Sequence, residues 1–275
     1  MRSVRKRLAN GAEVLFLVVI GMIFLFPIYW LVTSAFKREN SLWRTPPLWG
    51  VDRGINSVLT AISTNHLMTF FLHSVEETLG STVVVLVLGV TVAYSLSRHR
   101  WRFARGVANW IVSLKFIPPI ASIIPVYLMY TRLHLFDTVQ GMVVVYVIFN
   151  LPLATWLLVG FIGQIPTWLD DAAKVDGASD LGILWHVILP ILRPTLVGVG
   201  AVVSLFAWND FLFAVSLTST HAVTLPVATD GFLGDYIYQW GNFYIGGVLL
   251  ILPAVIICLL LQRYVVRGLS LGAVG

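Results

Sequence analysis

Residues 138–162 read TVQGMVVVYVIFNLPLATWLLVGFI, from Thr138 to Ile162, without one Asp, Glu, Lys or Arg. Wound as a helix, such a run crosses roughly 30 Å of hydrocarbon at about 1.5 Å per residue. In lipid every backbone N–H and C=O must bond within its own segment, which makes helix the natural form. A membrane β-barrel would show alternating segments of about 10 residues, and this run does not alternate. Working outward, five further runs have the same character: about Val14–Phe36, Thr78–Leu96, Val107–Tyr130, Thr195–Leu217 and Tyr244–Tyr264. The third span in chain order, 107–130, is interrupted by Lys115 and Pro118-Pro119. The fold class expected is therefore all-α: a polytopic membrane bundle of about six helices, treated as a single domain over residues 1–275.

Composition agrees. The chain of 275 residues is 58% hydrophobic and only 11% charged, against roughly 25% charged for a soluble domain. Too little charge is present to cover a water-facing surface, so lipid is a partner. The formal charge is +5, but the Lys and Arg residues sit in short loops beside apolar runs. That pattern is the positive-inside rule and leaves no polar groove for nucleic acid. The lone Cys258 lies within the last run and supports neither a disulfide nor a cysteine metal site. The six histidines are scattered over loops without metal-ligand spacing.

The basic residues give an orientation. Segments 1–13, 97–106, 163–194 and the tail hold twelve Lys and Arg, from Arg2, Arg5, Lys6 and Arg7 to Arg263 and Arg267; the alternate segments hold five. Both termini are expected in the cytoplasm. The first run exceeds the 7–15 residues of a signal-peptide core and has no small-x-small cleavage site, so it reads as a retained span.

The loop 163–194 does not belong in lipid. Thr167 and Asp170 have capping-box spacing, Asp170 and Asp171 suit a helix N-terminus, and Gly177 can take positive φ and end that helix. Ser179 can cap a second short helix, with Leu181, Leu184, Trp185 and Ile188 as its apolar stripe and Pro190 and Pro194 closing the segment. Two readings fit: a compact knob at the membrane face, or an interfacial re-entry into the fifth span.

This loop resembles the EAA loop of ATP-binding-cassette importer permeases. Asp171-Ala172-Ala173, three residues, Gly177, nine residues, then Val187-Ile188-Leu189-Pro190 reproduce its spacing, with Asp171 for the usual Glu and Val187 for the usual Ile. Asp176-Gly177-Ala178 matches the common Asp-Gly-Ala version. Ala93-Tyr94-Ser95-Leu96-Ser97-Arg98, Trp208-Asn209-Asp210-Phe211-Leu212 and Gln262–Leu269 with Gly272-Ala273-Val274 resemble corresponding stretches of carbohydrate permeases of the maltose-permease-G-like group. The likeness covers almost the whole chain and is strongest from Tyr94 onward. A departure is Glu76-Glu77 before the second span, where that group often has Asn-Ser or Asn-Thr.

The resemblance implies half of the translocation pathway for a sugar, polyol or glycerol-phosphate compound, in the inner (plasma) membrane of a bacterial or archaeal cell. It implies a second homologous permease, two ATPase subunits or domains and an extracytoplasmic solute-binding protein as partners. Asp171, Ala172, Ala173, Asp176, Gly177, Leu189 and Pro190 would couple to the ATPase, which alone would carry ATP and magnesium. The chain itself would be no enzyme and hold no cofactor or metal; it has no Gly-x-x-x-x-Gly-Lys-Ser/Thr phosphate loop. Within the spans, Lys115, Asn150, Trp208, Asn209 and Asp210 are candidate pathway residues, since sugars need hydroxyl partners and aromatic faces; interhelical hydrogen bonding is the other reading. Lys115 either faces the bundle interior or snorkels to the cytoplasm. A different class, an ion-coupled secondary transporter, would favour inverted repeats and several intramembrane carboxylates.

Overall fold

The structure, a computed structural model, describes residues 2–98, 104–234 and 238–272, with side chains described over 13–98, 106–234 and 238–259. The basic residues at 2–7, 100, 102, 105, 263 and 267, and Ala273 and Val274, fall outside the described side chains.

The described residues form thirteen α-helices: α1 Arg2–Ala35, α2 Glu39–Leu42, α3 Ile55–Thr64, α4 Leu67–Arg98, α5 Ala104–Ser113, α6 Pro119–Arg132, α7 Val139–Ile162, α8 Trp168–Val175, α9 Asp180–Ile183, α10 Leu189–Trp208, α11 Leu212–Leu217, α12 Leu225–Asp230 and α13 Trp240–Gly272. Five stretches among them are long and apolar enough to cross a membrane, and a sixth arises if α5 and α6 count as one broken span. The expected count of about six is met when that broken pair is taken as one span, and the limits differ from those expected. The second begins at Leu67, so Glu76 and Glu77 lie inside it. The third is bent by 90° at Ile117-Pro118, between a 3₁₀ turn at Leu114–Phe116 and α6. Pro118 and Pro119 supply no N–H, and each disfavours helix in the residue before it.

The fifth differs most. Its helix ends at Trp208 rather than Leu217, because the Asp210 carboxylate accepts from the N–H groups of Phe213 and Ala214 at 3.1 and 3.2 Å and starts α11 afresh. At the other end Pro190 and Pro194 do not close a separate helix. Continuous helix runs from Asp180 to Trp208, through a π-helical turn at Leu184–Ile188 just before Pro190. Wider i→i+5 bonding in that turn accommodates a proline that would clash with the carbonyl four residues back.

The chain divides into two compact units, residues 1–68 with 228–251 and residues 69–227 with 252–275. In the first, the Glu39 carboxylate caps α13 by accepting from Trp240 and Gly241 N–H at 2.7 and 3.0 Å. Lys37 is buried with its ammonium 4.0 Å from the Trp30 ring centroid.

In the second unit α4, α7 and α10 share a core that includes Val85, Ala93, Tyr94, Ala154, Leu158, Ile188, Val199 and Val203. Small residues let the helices approach: a Cβ at Gly80 would lie 3.1 Å from Val143 Cγ2, and one at Gly200 3.1 Å from Leu86 Cδ1. Thr82 and Ser204 hydroxyls bond across the same contact at 3.0 Å. The turn before α7 is clamped onto residues 219–222 by Asp137, whose carboxylate accepts from the N–H groups of Ser219, Thr220, His221 and Ala222 at 2.9–3.1 Å. Burial pushes that carboxyl up, but the N–H donors outweigh it and hold it well below the usual carboxylate range.

Candidate functional site

Two parts of the second unit carry the residues singled out above. The first is the knob made by α8, α9 and the π turn. Gly177 has φ +84°, and the N–H groups of Gly177 and Ala178 bond to the carbonyls of Lys174 and Ala173 at 3.0 and 2.9 Å. This is the Schellman arrangement, and it ends α8 as expected. Ser179 caps α9 through Gly182 N–H at 3.2 Å. The expected capping box at α8 does not form: Thr167 is helical and makes no side-chain cap. Asp170 is instead drawn inward, where its Oδ2 lies 3.0 Å from Arg98 Nε. Charge pairing in a buried place outweighs a surface cap.

The knob is two-faced. Leu169, Ala173, Ala178 and Leu189 pack against the core of α4, α7 and α10, with Ile183, Leu184 and Ile188 buried. Asp171, Ala172, Asp176, Gly177 and Pro190 are exposed. So are four large apolar side chains: Trp168 at 64%, Val175 at 88%, Leu181 at 65% and Trp185 at 62%. Leu181 and Trp185 therefore do not belong to the inward stripe, which Ile183, Leu184 and Ile188 make instead. A lone exposed apolar residue is ordinary; four on one small polar knob mark a surface made to be covered.

The second part is a cavity of about 690 Å³ lined by Pro119, Val202, Leu205, Phe206, Asn209, Asp210, Phe211 and Leu212. Asp210 and Asn209 thus open onto a shared space beside aromatic faces. Lys115 points into the bundle rather than snorkelling: its Nζ donates to Phe149 O at 2.9 Å and sits 4.9 Å from the Phe206 ring centroid. Trp208 and Asn150 are buried instead. Trp208 stacks edge-on with Phe71, centroids 5.5 Å apart, and Asn150 donates to Tyr146 O at 2.9 Å. Trp208 thus packs against a neighbouring helix, and Asn150 bonds back within α7 itself.

Sequence reasoning missed Glu77. It is fully buried on α4, neither carboxylate oxygen has a hydrogen-bond partner, and Asp210 and Tyr146 are its electrostatic neighbours. The signal was its departure from the Asn-Ser pattern, which a reading that placed it outside the span could not use. Among the described residues no three acidic, His or Cys side chains gather as a metal site.

Five or six apolar helices long enough to span a membrane, a capped knob and a cavity flanked by helix breaks fit a membrane transport subunit. Residues 85–271 match the family described as binding-protein-dependent transport system inner membrane component, and the chain belongs to that family. It is 35% identical to the trehalose transport system permease SugB of Mycobacterium tuberculosis, over 74% of this chain and 75% of that protein. It is 29% identical to the trehalose/maltose transport system permease MalG of Thermococcus litoralis, over 93% of each. In fold it is similar to a bacterial ABC transporter involved in alginate import, with a TM-score of 0.77 and 22% identity over 94% of this chain and 96% of that one. The protein is thus a multi-pass inner-membrane permease subunit of an ABC importer and a transport component, not an enzyme. Family membership sets aside the ion-coupled secondary transporter.

Proposed function

We propose that the cargo is a sugar or related polyol, and that the chain supplies half of its pathway beside a second homologous permease. The exposed knob docks on an ATPase subunit, two of which serve the pair, and an extracytoplasmic binding protein delivers the cargo. ATP and magnesium are held by the ATPase, and this chain binds no cofactor. The observation that carries the reading is the knob itself. Gly177 fixes its shape, while Trp168, Val175, Leu181 and Trp185 stand exposed around Asp171, Ala172 and Asp176. Leu189 braces it from within and Pro190 begins the span. The sugar-permease relatives and the Asn, Asp and Phe lining of the cavity support the cargo class. The twelve-to-five bias in basic residues supports placing the knob and both termini in the cytoplasm.

The test is Gly177→Arg in the reconstituted transporter. A Cβ there meets nothing within 4 Å, so the substitution crowds only an incoming partner and strains φ. Uptake of a sugar panel and ATP hydrolysis are measured together. The expected result is an inserted permease whose uptake collapses; wild-type uptake per ATP would refute docking at this surface.

A further inference from the structure

α8 has an outer face free for a partner and an inner face tied to the last turn of α4. Three side chains make that tie. Arg98 and Asp170 pair at 3.0 Å with side-chain exposures of only 8% and 6%. Tyr94 donates to the same Asp170 oxygen at 3.4 Å, and Arg98 Nη2 donates to Ile165 O at 2.9 Å. From this joint α4 runs unbroken back to Glu77, the buried acid beside Asp210. Residues 77–98 span about 31 Å at 1.5 Å per helical residue. One rigid element therefore joins the knob to the acid behind the cavity wall.

We infer that the Arg98–Asp170 pair is the joint through which displacement of the knob is delivered to α4, and along α4 to the Glu77–Asp210 end of the cavity. Arg98 and Asp170 are positioning residues; neither touches cargo. The physical reason is directional. The apolar contacts of Leu169 and Ala173 hold α8 against the core but permit sliding, because burial is not directional. A buried ion pair cannot be slid apart without leaving its charges unpaired away from water, and the Tyr94 phenol and the Arg98 bond to Ile165 O keep it in register. A pair serving stability alone would be replaceable, since well-packed apolar residues of similar volume often restore or improve stability at such sites.

That contrast supplies the experiment, which rests on the docking reading above. The complete transporter is purified with Cys258→Ser, which removes the single cysteine of this chain, and with Asn209→Cys as a reporter in the cavity lining, its labelling read on this subunit after separation by gel. Maleimide labelling of the reporter is timed with and without ATP and vanadate, for the parent and for Arg98→Met/Asp170→Leu. ATPase retention on the purified permease is scored alongside. The parent should change its labelling rate about tenfold between states, in the range of ordinary allosteric couplings. The double variant should keep the ATPase bound and lose most of that change, and Arg98→Asp/Asp170→Arg should restore part of it. An unchanged response in the double variant with the ATPase retained overturns the joint alone. A parent that holds no ATPase overturns the docking reading, and this inference with it.

Discussion

Asp170 and Glu77 are both buried carboxylates tied to α4: Asp170 packs against its last turn, and Glu77 projects from its first half. Asp170 meets a guanidinium and a phenol at its Oδ2. Glu77 meets no hydrogen-bond donor at either oxygen and has a second acid, Asp210, as its neighbour. The knob end of the unit thus pairs its carboxylate with a cation, whereas the cavity end sets one acid beside another with no donor at Glu77. A part that transmits force should have its charges neutralised in one geometry. An acid left without donors is the less constrained of the two, and buried unsatisfied polar atoms are where function is first sought.

The comparison can be broken by mutation. Arg98→Leu has the largest expected effect, since it leaves Asp170 buried and unpaired at a cost of about 3–5 kcal/mol, read by thermal unfolding in detergent; Arg98→Leu/Asp170→Leu should recover most of it. Next is Asp137→Asn, which trades a charged acceptor of four N–H groups for an amide, at about 2 kcal/mol. The pH dependence follows from its depressed carboxyl. The stabilisation is fully present above the unfolded value of about 3.9 and is lost as pH falls through the lower folded value. Melting curves between neutral pH and pH ~3 should therefore fall for the parent by more than for Asp137→Asn. Gly177→Ala should cost about 1 kcal/mol from positive φ alone, with uptake per ATP little changed, because no neighbour is crowded. Smallest is Glu77→Gln, expected to leave stability unchanged within about 1 kcal/mol, since an amide of the same shape meets the same surroundings without hydrogen-bond partners. A marked loss of stability there would mean that Glu77 has a partner after all, and the contrast between the two ends would fall.

Much of this was legible in the residues. Runs such as 138–162 need no tertiary context to be read as spans, and Gly177 needs only its φ preference. What escaped the sequence depends on neighbours distant along the chain. Asp170 has the right spacing for a cap until Arg98, far back in the sequence, offers a stronger partner. Glu77 looks interfacial because it follows His73 and Glu76, and only packing of α4 hides it. Trp208 adjoins Asn209 and Asp210 in sequence, yet one step around the helix turns it into the core against Phe71. The π turn could not be read from Pro190, which signalled an ending where the helix merely widened.

The two interruptions of the spanning helices, at Leu114–Pro118 and at Asn209–Phe211, come together at one cavity, with Pro119 on one wall and Asn209 to Phe211 on another. Where a helix stops at membrane depth, its last carbonyls and the next helix's first amides lose their partners in the ladder, and hydrocarbon offers none. At Asn209–Phe211 the chain supplies its own partners: Asp210 takes the first amides of α11, and the N–H groups of Asn209 and Asp210 return to Leu205 and Ala207. The fracture is thereby sealed from within, and it leaves a bend where an unbroken helix would have run straight.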